Sequence, residues 1–354
     1  MIMLSSALSV QFVAKVSNYM TTWNQLLGQP AETPTPGTLA AGFVAPVTDL
    51  GLIAFTGDDS ATFLHSQLTN DVEHLGANDV RLAGYCSPKG RLLASFLMWK
   101  DEQSIYLQLA SDIQPAVQKR LQMFVLRAKT KAADVTQARV TLGLGGALAE
   151  AVLQTWFDAL PPAPYTKLDH PLGTLLRVAD AFGAPRYLWL ALPETVATVA
   201  PELADRLVVA GNDAWRLSDI HAGVPLIAAA TQEQFVPQMI NFELLGGVNF
   251  KKGCYPGQEI VARSQYLGKL KRRTALATID AAGIAAGSEV FTPADPGQPC
   301  GMVVNAVPNG AGGVDALVEM KLDALEAGDV RAGAADGPAL KFQPLPYVLD
   351  KLDV

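Results

Sequence analysis

KKGCYPGQEIVAR, residues 251–263, sets one cysteine between two glycines, behind two lysines and ahead of a run free of helix breakers. Pro256 and Gly257 form a turn pair. From Gln258 to Tyr266 the spacing predicts a helix with Ile260, Ser264 and Leu267 along one side and Glu259 and Arg263 as an i,i+4 charge pair. Cys254 therefore precedes a helix N-terminus, where oriented amides and the nearby Lys251 and Lys252 favour thiolate over thiol. Gly253 and Gly257 leave the backbone open to a close ligand. The competing reading makes Cys254 a small residue packed in a tight turn and its neighbouring charges a solvated face. On spacing alone both readings stand.

The chain around this segment has 354 residues, 49% apolar and 17% charged, which is too long for one ordinary core and predicts two or three globular domains. A net charge of -7 leaves nucleic-acid contact to a local basic patch. GKLKRR, residues 268–273, is such a patch, with Lys269, Lys271, Arg272 and Arg273 available to an RNA backbone; most such runs are solvated faces, and no aromatics interleave it. The three cysteines, Cys86, Cys254 and Cys300, are far apart and unmatched by any CxxC pair, which fits a reducing cytosol. Cys86, in a predicted strand, and Cys300, in the C-terminal β-region, read as packing residues. Neither a zinc site nor a four-thiolate iron–sulfur site is expected, and no metal is assigned. The opening MIMLSSALSVQFVAKVSNYM lacks a basic flank and is interrupted by Lys15, so it reads as an amphipathic helix or an over-extended start rather than a signal peptide. No apolar run approaches the roughly 18 residues of a membrane helix, and a cytoplasmic protein is expected.

Along the chain, GQPAETPTPGTLAAG (28–42) reads as a surface linker. A strand at LGLIAFTG, a capped helix through ATFLHSQL, and strands at DVRLAGYCS, GRLLASFLMWK and SIYLQLA follow, then a helix over about 113–124. From about 131 to 210 the pattern becomes strand, helix, strand, strand, helix, a plausible ferredoxin-like unit. Its GLGG lacks the spacing of a phosphate loop. From Arg273 onward short β-runs alternate with Gly/Pro turns, predicting a small β-barrel.

KKGCYPGQEIVAR resembles, almost letter for letter, the K-G-C-[FY]-x-G-Q-E-x-x-x-R signature of the YgfZ family, folate-binding proteins tied to iron–sulfur cluster assembly and repair. AWRLSDIHAGVPLI, QFVPQMINFELLGGVNF, QPLPYVLD, HSQLTNDV and GYCSPKGRLLASF also resemble that family, from about Val47 to the C-terminus. YgfZ proteins are similar in fold to the T-protein of the glycine cleavage system, a tetrahydrofolate-dependent aminomethyltransferase. The resemblance implies an α+β, three-domain T-protein-like fold around a folate-sized channel, with a ferredoxin-like middle domain and a C-terminal β-barrel. The implied organisation is a leader and linker (1–46), a discontinuous folate-binding domain (47–130 and 211–272), the middle domain (131–210) and the barrel (273–354).

The resemblance further implies a reduced folate such as tetrahydrofolate as cofactor, and iron–sulfur assembly proteins or client iron–sulfur enzymes as partners. The cysteine chemistry is carried by Cys254, with Lys252 and Arg263 tuning it and Gly253, Tyr255, Gly257, Gln258 and Glu259 supporting the motif. Trp215, His221, Tyr85 and Asn70 are the folate candidates. Trp215 offers a stacking face, although DAWRLSDI also fits an amphipathic helix with the indole buried. His221 stands where folate-binding relatives commonly carry glutamate. Where the T-protein needs acidic residues, Ala94 and Ser95 stand here, which argues against aminomethyl transfer. The transferase and a tRNA-modification accessory role remain the alternatives.

Overall fold

In the computed structural model, which describes residues 27, 28, 30, 33–267 and 270–349, the short apolar runs pair into three largely antiparallel sheets. The opening segment and its expected helix lie outside the described residues, as do Gly268 and Lys269 of the basic run. Among the described residues no helix is long and apolar enough to cross a membrane.

The first sheet is a meander of Val80–Cys86, Leu92–Lys100 and Ser104–Ala110, continued by Leu50–Thr56 and Lys131–Asp134. Leu92–Lys100 is buried along most of its length, as its near-continuous apolar sequence LLASFLMW requires of a strand covered on both faces. The helix Gln114–Met123 turns Gln114, Val117 and Leu121 inward.

The second sheet contains the ferredoxin-like order Val208–Val209, Val140–Gly145, Ala184–Ala191, Gly173–Ala181, with two additions. Thr166–His170 extends one edge, and Phe43–Pro46 is inserted between the last and first strands of the unit, parallel to one and antiparallel to the other. The stretch before Val47 is thus not only leader and linker. Thr35 caps the helix Pro36–Ala41 through its hydroxyl, which accepts from the Thr38 N–H, and Leu39 is fully buried. Proline at a first helical position after threonine is a start signal as well as a linker signature, and Phe43 and Val44 are apolar enough to be drawn into the sheet.

The third sheet follows the order Arg331–Ala332, Glu289–Phe291, Gly301–Pro308, Val314–Lys321, Arg272–Ile279, Leu340–Gln343. It curls until its two edges meet, with the Leu340 N–H donating to the Val330 carbonyl at 2.9 Å. The C-terminal tail then returns to the rest of the molecule, where the Tyr347 hydroxyl donates to the Gly223 carbonyl at 2.9 Å.

The helix Asn212–His221 is the spine between the three sheets. Its Arg216 pairs with Asp49 ahead of the first sheet, its Ser218 and Asp219 accept from Arg186 of the second, and His221 meets Asp315 of the third. One hydrophobic cluster includes Phe96, Leu188 and Leu317, and so runs through all three sheets.

Candidate functional site

The cysteine loop is held by backbone contact between two turns. Gly257 caps the helix Gln258–Tyr266 at φ +80°, and a Cβ there would sit 2.4 Å from the Ser87 carbonyl oxygen. Gly90, at φ +70° in the SPKG turn, would place a Cβ 2.8 Å from that of Ile260. Glycine is needed at both positions for conformation and for space. The segment that leads into the loop, residues 246–249, is fixed by HSQLTNDV, and the Asn249 Oδ1 accepts from the Lys251 N–H. Thr69 donates its hydroxyl to Gly247 O (2.6 Å), and its carbonyl accepts from the Asn249 N–H (2.9 Å). Asn70 Nδ2 donates to both Leu82 O (2.6 Å) and Gly246 O (2.7 Å), while its Oδ1 accepts from the Asp71 N–H.

On this support Cys254 is exposed, while Cys86 and Cys300 are buried at 1% and 4% exposure. Burial pushes the Cys86 thiol up to about 12 and also raises that of Cys300. Lys252 folds back on the loop: its ammonium donates to Gly253 O (3.1 Å) and lies 4.7 Å over the Tyr255 ring, which is itself buried. Burial lowers Lys252 to about 8, although the charges of Asp71, Cys254 and Glu73 favour its protonated form. The helix after the loop buries Val261, whose carbonyl accepts from Gln238 Nε2 (2.8 Å). Gln258 opens that helix, while Glu259 and Arg263 are exposed on it, and among the described residues no ion pair joins them.

A second feature is a small cavity of about 70 Å³ between the first and second sheets and the helix Asn212–His221. Leu50, Leu82, Leu97, Val178, Leu188 and Pro225 make it largely apolar, and Ser95, Gln108, Tyr165, Arg186, Arg216 and Asp219 supply its polar part. Asp219 is held between Arg186 Nη1 (2.8 Å) and Arg216 Nη1 (2.9 Å). Gln108 Oε1 and the Tyr165 hydroxyl are buried without a protein partner. Tyr165 holds φ +63°, a left-handed conformation uncommon for a bulky residue, and burial pushes its phenol well up. Orphaned polar atoms in an apolar wall are what a flat ligand with hydrogen-bonding edges would complete.

The sequence candidates divide between these features. Trp215 lines the cavity, yet it is 2% exposed, carries the Arg186 guanidinium 4.8 Å over its ring, and leaves no room for a side chain at Gly143, where a Cβ would lie 2.2 Å from Cε3. That contact gives Gly143, the first glycine of GLGG, a packing role. Ser95 faces the cavity and accepts from the Ile227 N–H at 3.0 Å, and Ala94 is fully buried. Tyr85 and Asn70 are buried but are not part of the wall. His221 is engaged by Asp315 and packs on Phe182 at 4.8 Å. None of the residues 251–263 lines the cavity. In the basic run, Arg273 is 4% exposed and paired with Glu243, and Arg272 grips both carboxylate oxygens of Glu319, so two of its four cations are neutralised internally. Sequence reasoning missed Gln108, Tyr165, Arg186 and Arg216. The available signals were an arginine opening the apolar strand APRYLWLA and the i,i+3 spacing of Arg216 and Asp219.

No family model matches the chain. It is similar to the tRNA-modifying protein YgfZ of Shigella boydii, with 30% identity over 325 residues, covering 91% of this chain and 98% of the relative. The protein of the same name from Photorhabdus laumondii is 32% identical over 309 residues, covering 86% and 92%. Among solved structures, the glycine cleavage system aminomethyltransferase T from Bartonella henselae superposes with a TM-score of 0.70 at 19% identity, covering 88% of this chain and 87% of that one. The fold is therefore that of the aminomethyltransferase T-protein.

Proposed function

The chain belongs to the YgfZ family, and from that premise we propose that it is a folate-binding protein that assists assembly or repair of iron–sulfur proteins through the Cys254 thiol. The observation that carries the reading is the placement of the cysteines: Cys254 alone of the three is exposed, on a loop packed through Gly257 against the Ser87–Gly90 turn and entered from a segment held by Thr69 and Asn70. A thiol presented this way can meet a partner protein's cluster, sulfur or one-carbon group. The relatives' name brings tRNA modification to the proposal, and client enzymes that modify tRNA are the natural first ones to assay.

A reduced folate is the proposed occupant of the cavity. What supports this is the chemistry of its lining, with apolar walls for a pterin, Gln108 Oε1 and the Tyr165 hydroxyl unpaired, and Arg186 and Arg216 at the polar end; at about 70 Å³ the walls would have to part to admit the ring. When bound, the folate would supply a one-carbon carrier; the chain's residues would bind and orient it. Aminomethyl transfer is not favoured, because Asp219, the carboxylate of the wall, is held by two arginines and Ala94 and Ser95 offer none.

Replacing Cys254 by serine in a cell lacking the native gene, and assaying iron–sulfur enzymes and tRNA modification, tests the thiol. Loss of rescue is expected, and full rescue would overturn the role. Titration of the purified protein with tetrahydrofolate tests the cofactor, and absence of binding would remove it.

A further inference from the structure

The stretch between Asp112 and Asp134 holds no acidic residue and five cations, Lys119, Arg120, Arg127, Lys129 and Lys131, in a chain whose net charge is -7. The helix Gln114–Met123 ends inside it, and three neighbouring apolar side chains stand in solvent there: Met123 is 60% exposed, Phe124 47% and Leu126 87%. The turn that presents them is fixed at two points. The Ala128 N–H donates to Val125 O (2.8 Å), and Asp59 Oδ2 accepts from the Lys129 N–H (2.7 Å). Leu126 holds φ +45° in that turn, a conformation that favours glycine or asparagine. Conformation and exposure thus both count against leucine in the free chain. Unlike Arg272 and Arg273, the cations Lys119, Arg120, Arg127 and Lys129 form no ion pair among the described residues. Beside the helix lies a groove of about 340 Å³, with Leu93 and Val117 buried at its floor and Lys119, Arg120 and Met123 along it. Leu93 follows the SPKG turn, three residues beyond Gly90 and so within about 11 Å of it. That turn is the one on which the cysteine helix packs.

We propose that this groove and the Phe124–Leu126 tip dock a partner protein through an acidic amphipathic helix. Charge complementarity sets the sign of the occupant: its aspartates and glutamates meet Lys119, Arg120, Arg127 and Lys129, while its apolar face fills the groove and covers Met123, Phe124 and Leu126. An RNA backbone would satisfy the cations but not the apolar tip, which offers a single aromatic, Phe124, for base stacking. An anionic lipid surface would leave the groove unfilled. A client of the kind proposed above would be held beside the turn that carries the cysteine helix. Docking itself needs no thiol and is tested by association alone, so the surface and the Cys254 role can fail separately.

The probe is a fluorescent helical peptide with leucines on one face and glutamates flanking them, titrated with the full chain and followed by anisotropy at low and high salt. Saturable binding that weakens with salt is expected. Leu126→Asn should weaken it at least about tenfold. The same variant should keep its thermal midpoint at or above that of wild type, because asparagine suits φ +45°. Arg127→Gln, at an exposed side chain, should flatten the salt dependence. A peptide with lysines in place of the glutamates should not bind. Absence of saturable binding by the acidic peptide, equal binding by the lysine peptide, or binding untouched by Leu126→Asn each overturns the proposal. Phosphatidylglycerol vesicles and a tRNA transcript are titrated in parallel. If either binds in a Leu126-dependent way and the acidic peptide does not, the surface belongs to a membrane or a nucleic acid, and the protein partner is refuted.

Discussion

His221 Nε2 stands 2.6 Å from Asp315 Oδ2 and ties the helix Asn212–His221 to the central strand Val314–Lys321 of the third sheet. Burial alone would push the Asp315 carboxyl up, but hydrogen bonds from His221, Asn309 and Thr278 outweigh it and hold the group below its ordinary value. A carboxyl depressed in the folded state stabilises the fold above its unfolded value, and that contribution is lost as pH falls through the folded one. His221→Ala removes a donor and leaves a buried carboxylate, so it is expected to lower stability near neutral pH by about 3 kcal/mol. The acid unfolding transition should move to higher pH, as read by urea melts across the acid range.

Tyr165 and Gln108 contribute unpaired polar atoms to the cavity wall. Since an unsatisfied buried hydroxyl costs about 1–3 kcal/mol, Tyr165→Phe is expected to leave the free protein at least as stable as wild type. Tetrahydrofolate affinity should fall by about tenfold if the hydroxyl completes its bonds to the ligand. Thermal unfolding with and without folate reads both effects.

Two glycines of the cysteine loop are expected to respond differently to alanine. Gly257 has φ +80° and the Ser87 carbonyl 2.4 Å from a would-be Cβ, so Gly257→Ala should cost about 1–3 kcal/mol and displace the loop. Gly253, whose would-be Cβ meets nothing nearer than His65 Nε2 at 3.7 Å, should accept alanine within about 0.5 kcal/mol. Denaturant melts of the two variants decide the matter.

Arg273 and Lys271 are neighbours with opposite fates. Arg273→Met leaves Glu243 buried without its cation and is expected to cost about 3–5 kcal/mol. Lys271→Gln should change stability by less than about 0.5 kcal/mol. An RNA-binding loss seen with Arg273 variants would therefore be a folding effect, whereas a change in salt slope with Lys271→Gln would indicate phosphate contact.

Lys252 sits in a setting that lowers its pKa to about 8, against 10.5 for an ordinary lysine, chiefly through burial. Between those values the unfolded chain binds the extra proton, so this group makes stability rise with pH across that window. Lys252→Met should abolish the rise, which stability curves at pH 7, 9 and 10.5 would reveal.

Most elements were legible because strand alternation and turn chemistry are local. The meander over 80–110, the helix at Gln114–Met123 and the helix after Gly257 lie where spacing puts them. Phe43–Pro46 escaped because its pairing partners, Gly145 and Val208, are distant in sequence, and no local pattern encodes such a contact. ALAEAVLQTWFDAL reads as one long helix, but only Ala149–Leu153 is helical. Beyond it Trp156 and Phe157 turn onto Trp189, where aromatic packing wins over helix propensity. At the candidate site the cysteine motif announced itself, while Tyr165 and Gln108 did not. A buried unpaired oxygen is a property of tertiary surroundings, as are the bonds that Thr69 and Asn70 of TNDV make to Gly246, Gly247 and Leu82.

The inserted strand Phe43–Pro46 makes the middle unit topologically incomplete on its own. A fragment cut at the composition boundaries, 131–210, would lack the wedge that separates Val208–Val209 from Val140–Gly145, and would expose the edge of the latter as a template for another chain. It would also lose Trp215 from the surface of Gly143. The chain closes this sheet only after residue 208 has returned to residue 43, a pairing far apart in sequence that this sheet must make before it is complete.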